Sequence, residues 1–189
     1  PGLEVSFICA RFSNPDQYLR EKAADLGIKF HVSENVNSDS FLSSVSTHGC
    51  DIFVSMSFDQ ILRERFYSFP RLGTINCHAG KLPFYRGRNI LNWALINDEK
   101  EFGITVHYID NGMDTGDIVL QRTYPISDCD DYGSLLAKAH RECPSVLYEA
   151  IQLIRSENTS RLAQKSIHPC GSIFSQRKLG DEMIDWNWS

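Results

Sequence analysis

Apolar positions in this chain come in short strand-like runs separated by stretches of helical spacing. Residues 5–10 form the first such run and read as a buried strand. The segment Ser13-Asn14-Pro15-Asp16-Gln17 then opens a helix, with Asn14 as N-cap, Pro15 at the first helical position and Gln17 completing a capping box. Tyr18, Leu19, Ala23 and Leu26 make its apolar stripe, and Gly27 stops it. Residues 29–32 are a short strand. Ser38 caps a second helix with Phe41, Leu42 and Val45 on one face, ending at Gly49. Residues 52–56 give another strand, and Ile61, Leu62 and Phe66 a helical turn.

The second half continues the alternation. Residues 74–78 are a strand, 82–88 a loop and 89–96 a helix, with Trp93 on the core side. Two strands, 102–108 and 118–124, flank a loop rich in Asp and Gly. A long helix starts within 128–131 and carries Leu135, Leu136, Ala139, Cys143, Val146, Leu147, Ala150, Ile151 and Ile154. Pro144 sits inside it and is expected to kink or split it. Strands alternating with helices predict an α/β fold: a mostly parallel sheet with helices on both faces.

Composition narrows the class. With 189 residues, 42% hydrophobic and 23% charged, the chain has the size and balance of one globular domain. Its six cysteines (9, 50, 77, 129, 143 and 170) include no C-x-x-C pair, which predicts reduced thiols in a cytoplasmic protein without a structural metal. No apolar run reaches the length of a membrane helix, so no membrane partner is expected. A net charge of −5 argues against a large phosphate-binding surface and hence against nucleic acid. Lys81, Arg86 and Arg88 cluster locally, which suits a small phosphorylated ligand.

The candidate chemistry lies around the strand at 74–78. Side chains alternate faces along a strand, so Asn76 and His78 point the same way and Cys77 the opposite way. Asp114 follows in Asn111-Gly112-Met113-Asp114-Thr115-Gly116-Asp117. An amide donor, an imidazole and a carboxylate together supply an oxyanion stabiliser, a general base and its orienter. That face offers no Ser or Cys nucleophile, so the attacking group must belong to the substrate. Acyl transfer to an amine needs no more. His107 reads as structural, His140 and His31 have no partner pattern, and His48 and His168 read as surface residues.

These pieces together resemble the folate-dependent formyltransferases, whose signature is Asn-x-His, a Leu-Pro-x-Tyr/Trp-Arg-Gly loop and Asp-x-Gly. Here they read Asn76-Cys77-His78, Leu82-Pro83-Phe84-Tyr85-Arg86-Gly87 and Asp114-Thr115-Gly116. The segment Ala79-Gly80-Lys81-Leu82-Pro83 departs from the family pattern, since many members read His-x-Ser-Leu-Leu-Pro there. The resemblance implies catalysis by Asn76, His78 and Asp114, with N10-formyltetrahydrofolate as co-substrate and no metal. It implies folate contacts from Phe58, Gln60, Ile61, Leu62 and Asp110, and acceptor contacts from Tyr85, Arg86 and Arg88. It also implies that Asp114 favours the cationic form of His78.

Within the family, the stretch from Tyr85 to Asn97 is most similar to enzymes that formylate nucleotide-linked amino sugars, in particular dTDP-4-amino-4,6-dideoxyhexoses of O-antigen and lipopolysaccharide synthesis. A phosphoribosylglycinamide or methionyl-tRNA formyltransferase, a formyltetrahydrofolate hydrolase and a non-catalytic folate-binding module stay open as alternatives, as does a homodimer. Against this family pattern, residues 1–178 are expected to be the catalytic domain and 179–189 the start of a linker to a second domain. A strand and helix of the sheet are expected to precede residue 1.

Overall fold

The computed structural model describes residues 2–156, 160–181 and 183. They fall into two compact units, residues 1–75 and 76–189. The architecture is α/β with mostly parallel strand pairing, as the alternation of elements predicts.

In the first unit, strand β1 (Phe7–Ala10) pairs in parallel with β2 (Lys29–Val32), and helix α1 (Gln17–Asp25) connects them. The N-cap of α1 is Asp16 and not Asn14. Asp16 holds extended backbone, and its carboxylate accepts the Leu19 N–H at 2.8 Å. Only Ala23 of the expected apolar stripe is buried, while Tyr18 and Leu26 are 69% and 71% exposed. Helix α2 (Asp39–Ser46) starts at the predicted cap, Ser38, whose hydroxyl accepts the Phe41 N–H. Its apolar face joins Val36, Phe53 and Phe66 in the unit's core. Strand β3 (Phe53–Ser55) and the short helix α3 (Glu64–Tyr67) complete the unit. The chain leaving α3 returns beside β3, where Leu72 N–H donates to Asp51 O and Phe53 N–H to Gly73 O.

Strand β4 (Thr74–His78) opens the second unit with its last three residues. Then come β5 (Arg86–Gly87), α4 (Ile90–Ile96), β6 (Glu101–Tyr108), β7 (Ile118–Pro125), α5 (Tyr132–Arg155), α6 (Gln164–Ile167) and β8 (Ile173–Phe174). Strand β6 lies between β4 and β7, and β6 and β7 run antiparallel. Strand β5 pairs in parallel with β8. Helix α5 covers β6 and β7 with Leu135, Ala139, Cys143, Val146, Ala150 and Ile154, against the fully buried Ile104 and Val106. Burying one such Leu or Ile contributes about 1.5–3 kcal/mol.

The helix runs unbroken through Pro144. Packing of Cys143 and Val146 on the sheet keeps both halves in one segment, so the expected split is absent. Of the predicted linker, residues 182 and 184–189 lie outside the described residues. Among the described residues no helix is long and apolar enough to cross a membrane.

Candidate active site

Strand β4 delivers Asn76 and His78 from alternate positions to one face, as the period of two requires. Cys77 points behind the strand, where a hydrogen bond with Cys143 and burial push its thiol pKa far up. It is inert as a nucleophile. Asp114 sits on the β6–β7 connection in left-handed backbone, φ 53°. Tyr85, on the loop after β4, is also left-handed, at φ 57°. A non-glycine residue held there costs of order 1 kcal/mol or more, and such outliers cluster at functional sites.

The two loops meet at the carboxylate, where Asp114 Oδ2 accepts the Gly87 N–H at 2.9 Å. The same oxygen lies 3.9 Å from His78 Nδ1, and Oδ1 lies 3.5 Å from Asn76 Nδ2. The three predicted residues therefore converge.

Tautomers follow from the carbonyls. His78 Nε2 is 2.7 Å from Tyr85 O, which can only accept, so the proton of neutral His78 sits on Nε2. Its bare Nδ1 then faces Asp114. Gly80 is needed beside this contact, because a Cβ there would overlap both His78 Nε2 and Tyr85 O.

Burial is the largest influence on His78 and lowers its pKa below 6.5, outweighing the raising effects of Asp114 and the Tyr85 carbonyl. Asp114 does favour the cationic form of His78, as expected, but burial outweighs it and the net shift is downward. At neutral pH the ring is a neutral base. Burial also works against ionisation of Asp114, but the neighbouring His107 ring, the His78 charge and the Gly87 N–H bring its pKa down to about 2.

His107, read from sequence as structural, is part of this cluster. It is 2% exposed, with Nδ1 at 2.8 Å from Tyr108 O and Nε2 at 3.3 Å from Asn76 Nδ2 and 3.5 Å from Asp114 Oδ1. The Tyr108 carbonyl requires a proton on Nδ1. In neutral His107 the Nε2 lone pair then accepts from Asn76 and fixes the amide's orientation. The signal available in sequence was its place on β6 just before the Asp114 loop.

The other predicted residues are engaged elsewhere. Tyr85 contributes its backbone carbonyl, while its hydroxyl donates to Glu99 at 2.6 Å and its ring stacks on Phe174 at 4.8 Å. Trp93, half-buried, also stacks with Phe174, at 5.4 Å between ring centroids. Arg86 is tied by Nε and Nη2 to Gln164 Oε1 and by Nη1 to Cys170 O. Arg88 is exposed with Nη1 on Gln176, and Lys81 pairs with Glu101. Asp110 Oδ1 accepts from Gly112 N–H and the Thr115 hydroxyl, which shapes the Asp114 loop.

In the first unit, Phe58 and Leu62 pack on the core cluster, and Gln60 bridges Val36 N–H and Ser33 O. Ile61 is 81% exposed, and its carbonyl accepts from Asn37. Among the described residues no group of three or more His, Cys, Asp or Glu could hold a metal ion.

This combination of an α/β sheet, a strand ending in Asn-x-His and a facing Asp loop defines a class. The profile of the formyl transferase family matches residues 6–151, and the chain belongs to that family. A methionyl-tRNA formyltransferase of Caldanaerobacter subterraneus is 34% identical over 186 residues, covering 98% of this chain and 57% of its own. The chain spans roughly half the length of the curated relatives it matches, 57% and 48% for two of them.

Among solved structures, an N-formyltransferase from Helicobacter canadensis in complex with folinic acid and dTDP-3-aminofucose superposes with a TM-score of 0.66. It is 27% identical, with 84% of this chain and 54% of that one covered. Glycinamide ribonucleotide transformylase 1 from Symbiobacterium toebii, at 21% identity and TM-score 0.72 over 82% of this chain and 79% of its own, shares the fold.

Proposed function

We propose that this protein transfers a formyl group from N10-formyltetrahydrofolate to a primary amine, with Asn76, His78 and Asp114 as the catalytic residues. The observation that carries the reading is the bare Nδ1 of a neutral, buried His78 facing the Asp114 carboxylate, with the Asn76 amide beside them. The donor set fits the co-substrate: it offers an amide N–H and a base, and its one neighbouring thiol is turned away. When bound, N10-formyltetrahydrofolate supplies an electrophilic formyl carbon.

Asn76, oriented by His107, offers an N–H to the carbonyl oxygen as negative charge builds on it. His78 Nδ1 takes the proton that the attacking amine loses, and Asp114 stabilises the imidazolium then formed. His78 returns that proton to the departing nitrogen. One C–N bond forms, one breaks, and the proton balance closes.

For the acceptor, the reading is a nucleotide-linked amino sugar. A net charge of −5 disfavours a polynucleotide, and the exposed Arg88 beside the site loop suits a diphosphate. A second reading, methionyl-tRNA, is favoured by 34% identity to a relative of that activity along 98% of this chain. The test incubates the full-length protein and N10-formyltetrahydrofolate with a dTDP-amino sugar, with methionyl-tRNA, with glycinamide ribonucleotide, or with no amine, and weighs the products by mass spectrometry. Formylated sugar is expected. Formylation of tRNA alone overturns the acceptor, and formate release without any amine replaces transfer by hydrolysis.

A further inference from the structure

Gln164 lies outside the family-matched residues 6–151, in a four-residue helix whose C-cap uses its backbone carbonyl but not its side chain. Its side chain is nonetheless 2% exposed. Nε2 donates to Asp114 O and to Gly116 O, both at 2.8 Å. Oε1 accepts two bonds from Arg86, 3.0 Å from Nε and 2.7 Å from Nη2. One amide thus bridges the loop that carries Asp114 and the loop that carries Tyr85 and Gly87.

A primary amide is what this position requires. A Glu would set lone pairs against two carbonyls, and an aliphatic side chain would leave two buried carbonyls and a guanidinium edge unmatched. The second tie between the loops is the Gly87 N–H on Asp114 Oδ2 at 2.9 Å. That tie holds only the carboxylate tip, whereas Gln164 holds the Asp114 backbone in its left-handed conformation.

We infer that Gln164 and Arg86 form a positioning pair for the reaction. Through them Asp114 is kept facing His78 Nδ1, and the Tyr85 carbonyl is kept on His78 Nε2. Arg86 then serves as an internal strut in place of the substrate contact its family position implies. The kinetic consequence rests on the formyl-transfer reading, but the clasp itself does not.

The experiment compares full-length wild type with Gln164→Leu, and with Arg86→Met to break the same bridge from its other end if the first variant fails to fold. Hydrogen exchange followed by mass spectrometry on segments 84–90 and 110–118 needs no turnover. Exchange there is expected to rise about tenfold, and unchanged protection overturns the clasp. With the acceptor that the wild type formylates, kcat should fall about 10- to 100-fold with KM for the folate within about threefold. In an Asp114→Asn background the same substitution should cost clearly less than in the wild type, because the part of its effect that runs through the Asp114 carboxylate is already cut. An equal loss in both backgrounds would make Gln164 a purely structural residue. A wild type that formylates no amine would remove the proposed function and leave the exchange result to decide the clasp.

Discussion

Replacing Asp114 with Asn keeps the shape of the side chain and removes its charge. In the wild type the carboxylate takes the Gly87 N–H at 2.9 Å, with His107 Nε2 at 3.5 Å and His78 Nδ1 at 3.9 Å. Its pKa of about 2, against an ordinary 3.8, corresponds to a preference for the ionised form of about 2.5 kcal/mol. Part of that preference comes from a cationic His78, and burial removes this charge at neutral pH. At pH 7 the substitution should therefore cost about 1–2 kcal/mol, or roughly 2–8 °C in Tm. A depressed carboxyl pKa contributes stability that is complete above 3.8 and is lost as pH falls through about 2. The gap between wild type and Asp114→Asn should accordingly be full at pH 7 and close between about pH 4 and pH 2.

Activity should respond more strongly than stability. The oxygen of the introduced amide can still accept from Gly87, which puts its nitrogen where Oδ1 now faces His107 Nε2 and Asn76 and leaves no negative charge beside His78 Nδ1 to stabilise the imidazolium. The expected loss in kcat is about 10² to 10⁴, with folate affinity nearly unchanged. Urea titrations at four pH values, followed by circular dichroism, measure the first effect, and steady-state kinetics measure the second. A stability gap of equal size at pH 2 and pH 7 would refute the electrostatic account. Turnover within about threefold of wild type would refute the catalytic one.

Gly80→Ala should destabilise by about 1–3 kcal/mol and depress turnover, because the new methyl overlaps His78 Nε2 and the Tyr85 carbonyl; thermal melts and kinetics check both. Leu135→Ala, at a fully buried position of α5, should cost about 2–5 kcal/mol in urea unfolding and leave KM for the folate unchanged. Acidification should weaken the first unit. Burial, then the charges of His48 and Lys29, lower the His31 pKa below 6.5, and His31 Nε2 lies 3.0 Å from His48 Nε2 with room for one proton between them. A lowered histidine pKa means stability present above 6.5 and lost as pH falls below it. His48→Gln should flatten that acid limb, and a limb of undiminished slope in the variant would exclude the pair as its source.

Local signals located most of the elements. The period-two run gave β4 its observed bounds, and Ser38 capped α2 as expected. The start of α1 was set two residues early because Asn14, Pro15 and Gln17 fit a capping box. The carboxylate at Asp16 supplied the better acceptor. The stripe on α1 had helical spacing but is mostly exposed, since periodicity reports an amphipathic face and not what covers it. Pro144 obeyed packing over propensity, as a helix buried along six positions can.

The site divides along the same line. The convergence of Asn76, His78 and Asp114 was legible because the chemistry proposed for them, stabilising an oxyanion, taking a proton and orienting a base, restricts the letters at those positions. The groups that hold them carry no such restriction. Tyr85 acts through a carbonyl that every residue possesses, and Gln164 acts through an approach between segments 50 positions apart. His107 differs from a packed histidine only in what its Nε2 meets. The sign of the His78 shift failed for the same reason. A carboxylate neighbour can be read from a motif and raises a histidine pKa, but burial is the sum of everything packed around the ring, and here it is the larger effect. That outcome suits the chemistry better than the expected one. In the proposed reaction a histidine already protonated at pH 7 could not accept the amine's proton, whereas a neutral ring 3.9 Å from an ionised carboxylate takes on the charge that Asp114 stabilises only once the proton has arrived.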